Sequence, residues 1–263
     1  MNYGLLASFS FGVGIMVGLT GVGGASLITP MLILVFKVPT EIAIGSDVVA
    51  ATLMKVVGGV KHWRQQTLDP TVVKWMSLGS VPGALSGVAI FHLMKDHWSE
   101  NWNQLLLRVL GGLILSMTLL GMGQLILSRF FPAIQLPTLP CFNLDIWSGR
   151  LATLAIGALL GFFVGLTSVS SGSMFALVLM AFFQLDARKL VGTDLSQAAI
   201  LLSFTSIGHI GLGTVDWALV GSIWFGSLPG VLLGAKLCQF VSQEPLRALL
   251  YTILMMVSWK LVV

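Results

Sequence analysis

Charge is what this sequence has least of. Asp, Glu, Lys and Arg make up 9% of its 263 residues, where a soluble domain carries about a quarter. No charged side chain occurs from Met1 to Phe36 or from Leu151 to Leu185. A chain so poor in charge, 56% hydrophobic and with a mean hydropathy of +0.95, reads as an integral membrane protein and excludes an ordinary soluble domain. Each charge-free run exceeds the roughly 20 residues of one bilayer crossing, so each must hold two helical segments. Cysteine is scarce too: Cys141 and Cys238 stand in no CxxC or Cys/His spacing and read as two lone thiols rather than metal ligands. A Walker A sequence is missing, so ATP could drive the chain only through a partner. No HExxH, GxSxG or clustered ligand set marks an enzyme, and nothing calls for a metal or an organic cofactor. The N-terminus lacks a basic n-region and a small-residue cleavage site, so the first helix is expected to be retained. The net charge of +4 is spread over short loops without an aromatic-interleaved patch, which argues against nucleic acid and for a role in setting topology.

What the sequence does have is an internal duplication. His62 and His209, Asp47 and Asp194, and Pro82 and Pro229 are each 147 residues apart, and their surroundings match without a gap. Gly18-Leu19-Thr20-Gly21-Val22-Gly23-Gly24-Ala25-Ser26 returns as Gly165-Leu166-Thr167-Ser168-Val169-Ser170-Ser171-Gly172-Ser173. Gly45-Ser46-Asp47 returns as Gly192-Thr193-Asp194, and Gly79-Ser80-Val81-Pro82-Gly83 as Gly226-Ser227-Leu228-Pro229-Gly230, with Gly87 echoed by Gly234. Duplication in a very apolar chain is a usual mark of a transporter, whose related halves move about a site between them.

Apolar runs bounded by charge, Pro or Gly predict an all-α polytopic membrane protein of 8–10 segments, about five in each repeat. They fall near Tyr3 to Leu19, Gly23 to Phe36, Ile42 to Val60, Val72 to Met94 and Leu105 to Leu127 in the N-terminal repeat (residues 1–128). After a linker (129–145), the C-terminal repeat (146–263) supplies Ile146 to Leu166, Val169 to Leu185, Lys189 to Ile210, Asp216 to Phe240 and Leu246 to Val263. The connection after the third segment is basic, with Lys55, Lys61, Arg64 and Lys74 in or beside it, whereas its counterpart from Gly211 to Val215 has no Lys or Arg. The repeats are therefore expected to be inverted, their equivalent loops facing opposite sides. With the basic connection in the cytoplasm, ten of the 14 Lys and Arg residues lie inside, leaving Lys37, Lys95, Arg108 and Lys260 outside. Inversion needs an odd number of crossings per half. Five spans satisfy it, and so do three spans plus a re-entrant hairpin.

The Gly-rich turns are the sharpest candidates for chemistry. Gly21, Gly23 and Gly24 free backbone amides ahead of a helix, and Thr20 and Ser26 add hydroxyls, a composition suited to an anion. Thr167, Ser168, Ser170, Ser171 and Ser173 form the second-half version, with hydroxyls in place of some glycines. A tight helix-helix turn is the plainer alternative. Asp47 and Asp194, carboxylates in apolar segments, are candidates for coupling to a proton or Na⁺, against the simpler role of helix N-terminal acids. His62 and His209 are candidates for proton transfer or gating, against interfacial hydrogen bonding. Lys55 has Leu202 as its counterpart and is expected to snorkel to the interface unless it faces inward to attract an anion. Pro82 and Pro229 predict kinks. Trp63, Trp75, Trp98, Trp102, Trp147 and Trp217 read as an interfacial belt.

The Gly-x-Gly-Gly turn, the Gly-Ser/Thr-Asp start of the third segment and their duplication over the whole chain resemble the sulfite exporter TauE/SafE family of membrane permeases. Ser170 and Ser171, opposite Gly23 and Gly24, depart from the glycine-rich form. The resemblance implies a multi-pass protein of the cytoplasmic (inner) membrane that transports a small sulfur-containing anion such as sulfite or a sulfonate. The expected partners are that anion, a coupling proton or Na⁺ and membrane lipid, with monomer and homodimer both open. Alternatives are a transporter of another small organic anion, a non-transporting membrane subunit or assembly factor, and a membrane-embedded enzyme.

Overall fold

A computed structural model describes residues 3–20, 25–97, 99–130, 142–168, 173–183, 185–237 and 243–262. They form ten helices: α1 (Tyr3–Thr20), α2 (Ala25–Leu34), α3 (Thr40–Arg64), α4 (Pro70–His97), α5 (Ser99–Phe130), α6 (Trp147–Thr167), α7 (Ser173–Phe182), α8 (Ala187–Gly211), α9 (Trp217–Leu237) and α10 (Gln243–Val262). No strand occurs among the described residues. Helices α3, α4, α5, α6, α8 and α9 each contain a stretch long and apolar enough to cross a membrane. The second segment of each half is shorter than its apolar run predicts. Helices α2 and α7 have 10 residues each, about 15 Å at 1.5 Å per residue, half of a roughly 30 Å hydrocarbon core. At their described length, neither helix crosses that core on its own.

Each half packs mainly against the other. A Cβ added at Gly226, Gly230 or Gly234 of α9 would run into the carbonyls of Ala7, Phe11 and Ile15 of α1 in turn, so these helices run parallel in close contact. The same contacts recur 147 residues away with the halves exchanged. Gly79, Gly83 and Gly87 of α4 lie on the carbonyls of Leu154, Ala158 and Phe162 of α6. The glycines interdigitate, since Gly161 and Gly165 of α6 press on Ser80 and Ala84 of α4, and Gly14 of α1 presses on Ser227 of α9. Glycine every fourth residue makes a groove along one face of a helix, and two grooves let backbones approach to a distance any side chain would forbid. The Gly-x-x-Pro-Gly elements are therefore packing surfaces. Pro82 and Pro229 lie inside α4 and α9, and the helices continue past both.

Helices α3 and α8 meet at the centre and run antiparallel. The Thr52 and Ser206 hydroxyls are 2.7 Å apart, and a Cβ on Gly59 would sit 3.6 Å from the Ala199 Cβ, the same contact with the halves exchanged. Buried side chains from α1, α2, α3 and α9 form one core, including Leu6, Ile28, Leu32, Ala43, Val220 and Ile223. Val48, Met76, Ala84, Val164, Phe175 and Leu201 belong to another, drawn from α3, α4, α6, α7 and α8. Among the expected belt tryptophans, Trp63, Trp147 and Trp217 are exposed near helix ends, and Trp75 lies under the Arg150 guanidinium. Trp102 departs from the belt: it is buried, edge-on to Phe91 at 5.9 Å. Trp98, Cys141 and Cys238 lie outside the described residues.

Candidate functional site

Helix α3 begins after Pro39, whose φ of −52° and ψ of 137° hold the chain extended up to the first turn. Asp47 is the eighth residue of that helix, and Asp194 the eighth of α8. Neither carboxylate sits where first-turn amides are free, so the capping role does not apply. Asp186 fills it in α8, accepting from the Lys189 N–H at 2.9 Å.

Asp47 is fully buried. Its Oδ2 accepts hydrogen bonds from the Thr29 hydroxyl of α2 and, at 3.1 Å, from the Ser168 hydroxyl just past the end of α6. Among the described residues, none donates a hydrogen bond to Oδ1. Ser168 has a φ of +63° and donates its N–H to Val164 at 2.8 Å, a left-handed helix cap that normally favours glycine. The position in the first half is Gly21. A serine held in this conformation stores strain of about 1–3 kcal/mol, and its hydroxyl is the group that reaches the carboxylate.

The two histidines occupy matching positions in two Schellman motifs. Thr67 N–H returns to His62 O at 3.1 Å and Gln66 N–H to Trp63 O at 3.0 Å, while Thr214 N–H returns to His209 O at 3.2 Å and Gly213 N–H to Ile210 O at 3.1 Å. Each ring closes the motif with its threonine, His62 Nδ1 lying 2.7 Å from Thr67 Oγ1 and His209 Nδ1 3.0 Å from Thr214 Oγ1. His209 goes further. It is buried, its Nε2 is 3.3 Å from the Gly165 carbonyl, and Phe91 meets its ring edge-on. Gly165 lies three residues before Ser168, so His209 ties the end of α8 to the turn that holds Asp47. Across the same junction, the Asp216 N–H donates to Ser46 Oγ at 2.9 Å, a bond repeated as Asp69 N–H to Thr193 Oγ1 at 2.9 Å.

The second acid has different company. Lys55 Nζ lies 3.6 Å from Asp194 Oδ2, with the two side chains 12% and 10% exposed. The expectation that Lys55 snorkels to the interface is overturned, because a carboxylate inside the protein draws the ammonium inward. Three residues on, and so on the same helical face, Gln197 donates to Ser80 Oγ of α4 at 2.8 Å.

Of the residues read as anion ligands, Ser168 faces Asp47, Thr167 donates to its own helix at Phe163 O, 2.7 Å away, and Ser26 is buried. Gly21, Gly23, Gly24, Ser170 and Ser171 lie outside the described residues, and Thr20 and Ser173 only end and begin their helices. Thr29 was not among the candidate residues, and the pairing of Lys55 with Asp194 was not anticipated. The available signal was the mismatch at the 147-residue offset, where Thr29 faces Ala176 and Lys55 faces Leu202.

A family profile described as sulfite exporter TauE/SafE matches residues 6–261. Among curated proteins of Bacillus subtilis (strain 168), the probable membrane transporter protein YjnA is 35% identical, over 95% of this chain and 96% of its own. The probable membrane transporter protein YdhB is 24% identical over 94% and 95% of the two chains. A third, the probable membrane transporter protein YunE, is 22% identical over 90% of each. No solved structure matches.

Proposed function

The chain belongs to the sulfite exporter TauE/SafE family, and from that premise we propose that it is a secondary transporter, moving a small sulfur-containing anion such as sulfite or an organosulfonate across the cytoplasmic membrane by alternating access. Inverted repeats fit the packing: α3 and α8 are repeat mates that run antiparallel, and the glycine contacts of α1 with α9 return as those of α6 with α4. The bodies that rock are then cross-half pairs, α1 with α9 and α4 with α6, sliding about the α3–α8 centre.

The observation that carries the coupling mechanism is the pair of hydroxyls from Thr29 and Ser168 on the buried Asp47 carboxylate. Ser168 opens the second-half turn, whose sequence adds the hydroxyls of Ser170 and Ser171. A substrate anion reaching that turn meets a carboxylate already holding a hydroxyl it needs, and two like charges at that distance repel. Neutralising Asp47 with a proton or Na⁺ removes the repulsion and releases Ser168 Oγ, so anion and cation bind with positive coupling. Asp47→Asn mimics the neutral state. The purified variant in proteoliposomes is expected to bind sulfite or methanesulfonate at least as well as the wild type, while its flux no longer responds to an imposed proton or Na⁺ gradient. Flux that keeps the wild-type response to both gradients excludes Asp47 as the coupling group.

A further inference from the structure

Asp194 is not a second copy of Asp47. At the 147-residue offset, Thr29 becomes Ala176 and Ser168 becomes Gly21, so neither hydroxyl that holds Asp47 has a counterpart at Asp194. Lys55 stands there instead, and its own counterpart is Leu202. The asymmetry extends along the α3–α8 contact. The hydroxyls of Thr52 and Ser206 meet at 2.7 Å, while their counterparts, Ala199 and Gly59, have no polar side chain. One side of the crossing thus carries the Thr52–Ser206 hydroxyl pair, and on the other side, where Gly58 and Gly59 pack on Leu195 and Ser196, Lys55 reaches Asp194.

The ion pair is loosely made. At 3.6 Å it is longer than the roughly 2.7–2.9 Å of a closed charge-assisted hydrogen bond, and among the described residues Asp194 Oδ1 accepts nothing. Withdrawing two charges from water is repaid only when the geometry is close and the remaining protons and lone pairs are satisfied. Here an ammonium with three donors has one distant acceptor as its ion-pair partner among the described residues. Inside an apolar helix such a cation is costly unless something else uses it.

We propose that Lys55 is the anion-contact residue of the transport site, and that Asp194 is its intramolecular place-holder, displaced when the oxygens of a sulfite or sulfonate take the ammonium. This inference rests on the transport reading above and names the residue that recognises the substrate charge. Such an anion brings three oxygens, any of which can close on the ammonium at about 2.7–2.9 Å, where the nearest Asp194 oxygen stands at 3.6 Å.

The test is equilibrium binding of methanesulfonate and of sulfite to the purified protein in detergent, at one fixed pH, comparing wild type with Lys55→Gln, Asp194→Asn and the double variant. Lys55→Gln is expected to weaken binding roughly tenfold to a hundredfold, the range for a lost charged hydrogen bond. Asp194→Asn frees the lysine and is expected to bind at least as tightly as wild type. The double variant carries the decision, because it leaves no unpaired buried charge and remains informative where Lys55→Gln alone does not fold. It is expected to show the full loss. Wild-type affinity in the double variant would make the pair a structural brace and overturn the assignment, as would weakened binding in a folded Asp194→Asn protein. A wild-type protein that binds neither probe refutes the sulfur-anion transporter reading itself, whereas binding that is indifferent to Lys55 refutes only this inference.

Discussion

Adding a single methyl group to the α4–α6 contact tests the packing on which the whole arrangement depends. In Gly161→Ala, the new Cβ would lie 2.7 Å from both the Cα and the carbonyl carbon of Ser80, against roughly 3.5–4.0 Å for carbon atoms in comfortable contact. These are backbone atoms of a helix and cannot swing aside, so α4 and α6 must part by about 1 Å. The separation is felt at Gly79, Gly83, Gly87 and Gly165 as well, since all press on carbonyls across the same seam. Overpacking of this kind costs about 1–3 kcal/mol, and the disturbance of a whole seam argues for the upper end. Alanine returns about 0.8–1 kcal/mol as the better helix former, leaving a net loss of about 2 kcal/mol. The repeat mate, Gly14→Ala, meets Ser227 Cα at 3.0 Å and Val231 N at 3.1 Å, so it should lose less, about 1 kcal/mol. Gly221→Ala, with nothing within 4 Å, supplies the control and should gain about 0.5–1 kcal/mol. Reversible unfolding in mixed micelles, followed by tryptophan fluorescence, ranks the three. If Gly161→Ala proves as stable as Gly221→Ala, the glycine seam does not hold these helices together.

Two further outcomes are expected. With Cys141 and Cys238 replaced by alanine, single cysteines at Gln65 and at Leu212, the C-cap residues of α3 and α8, should be labelled by a membrane-impermeant reagent from opposite sides. Labelling of both from one side of a sealed membrane would refute inverted repeats. Gly24→Val should abolish anion binding in a folded, monodisperse protein if the turn donates backbone N–H groups, since a β-branched residue blocks close approach, while wild-type affinity would mean that the anion binds elsewhere.

The number, order and approximate position of the helices were legible because apolar periodicity and charge-free runs are local signals. The duplication even located Asp47, Asp194, His62 and His209 before their surroundings were known. What escaped was what those residues touch. Gly79, Gly83 and Gly87 suggested bending, because Pro82 sits among them, and the groove they meet belongs to α6 in the other half. The four-residue spacing of Gly157, Gly161 and Gly165 was visible, but nothing local says which two grooves face each other. Lys55 was read as interfacial because its partner is 139 residues away in sequence, at Asp194. Trp102 was assigned to the belt by its place near a span end, and only the packing of Phe91 shows that it turns inward.

The parallel pairing of α1 with α9 also sets a clock on assembly. The first helix ends at Thr20 and its partner begins at Trp217, so at about 5–20 residues per second a ribosome needs roughly 10–40 s to supply one after the other. Over that interval the carbonyls of Ala7, Phe11 and Ile15 have no glycine groove to settle into, and α4 likewise waits for α6. The nascent N-terminal half cannot close on itself. Its completion depends on retention in the membrane, beside whatever shelters unpaired helices, until α9 arrives near the end of the chain.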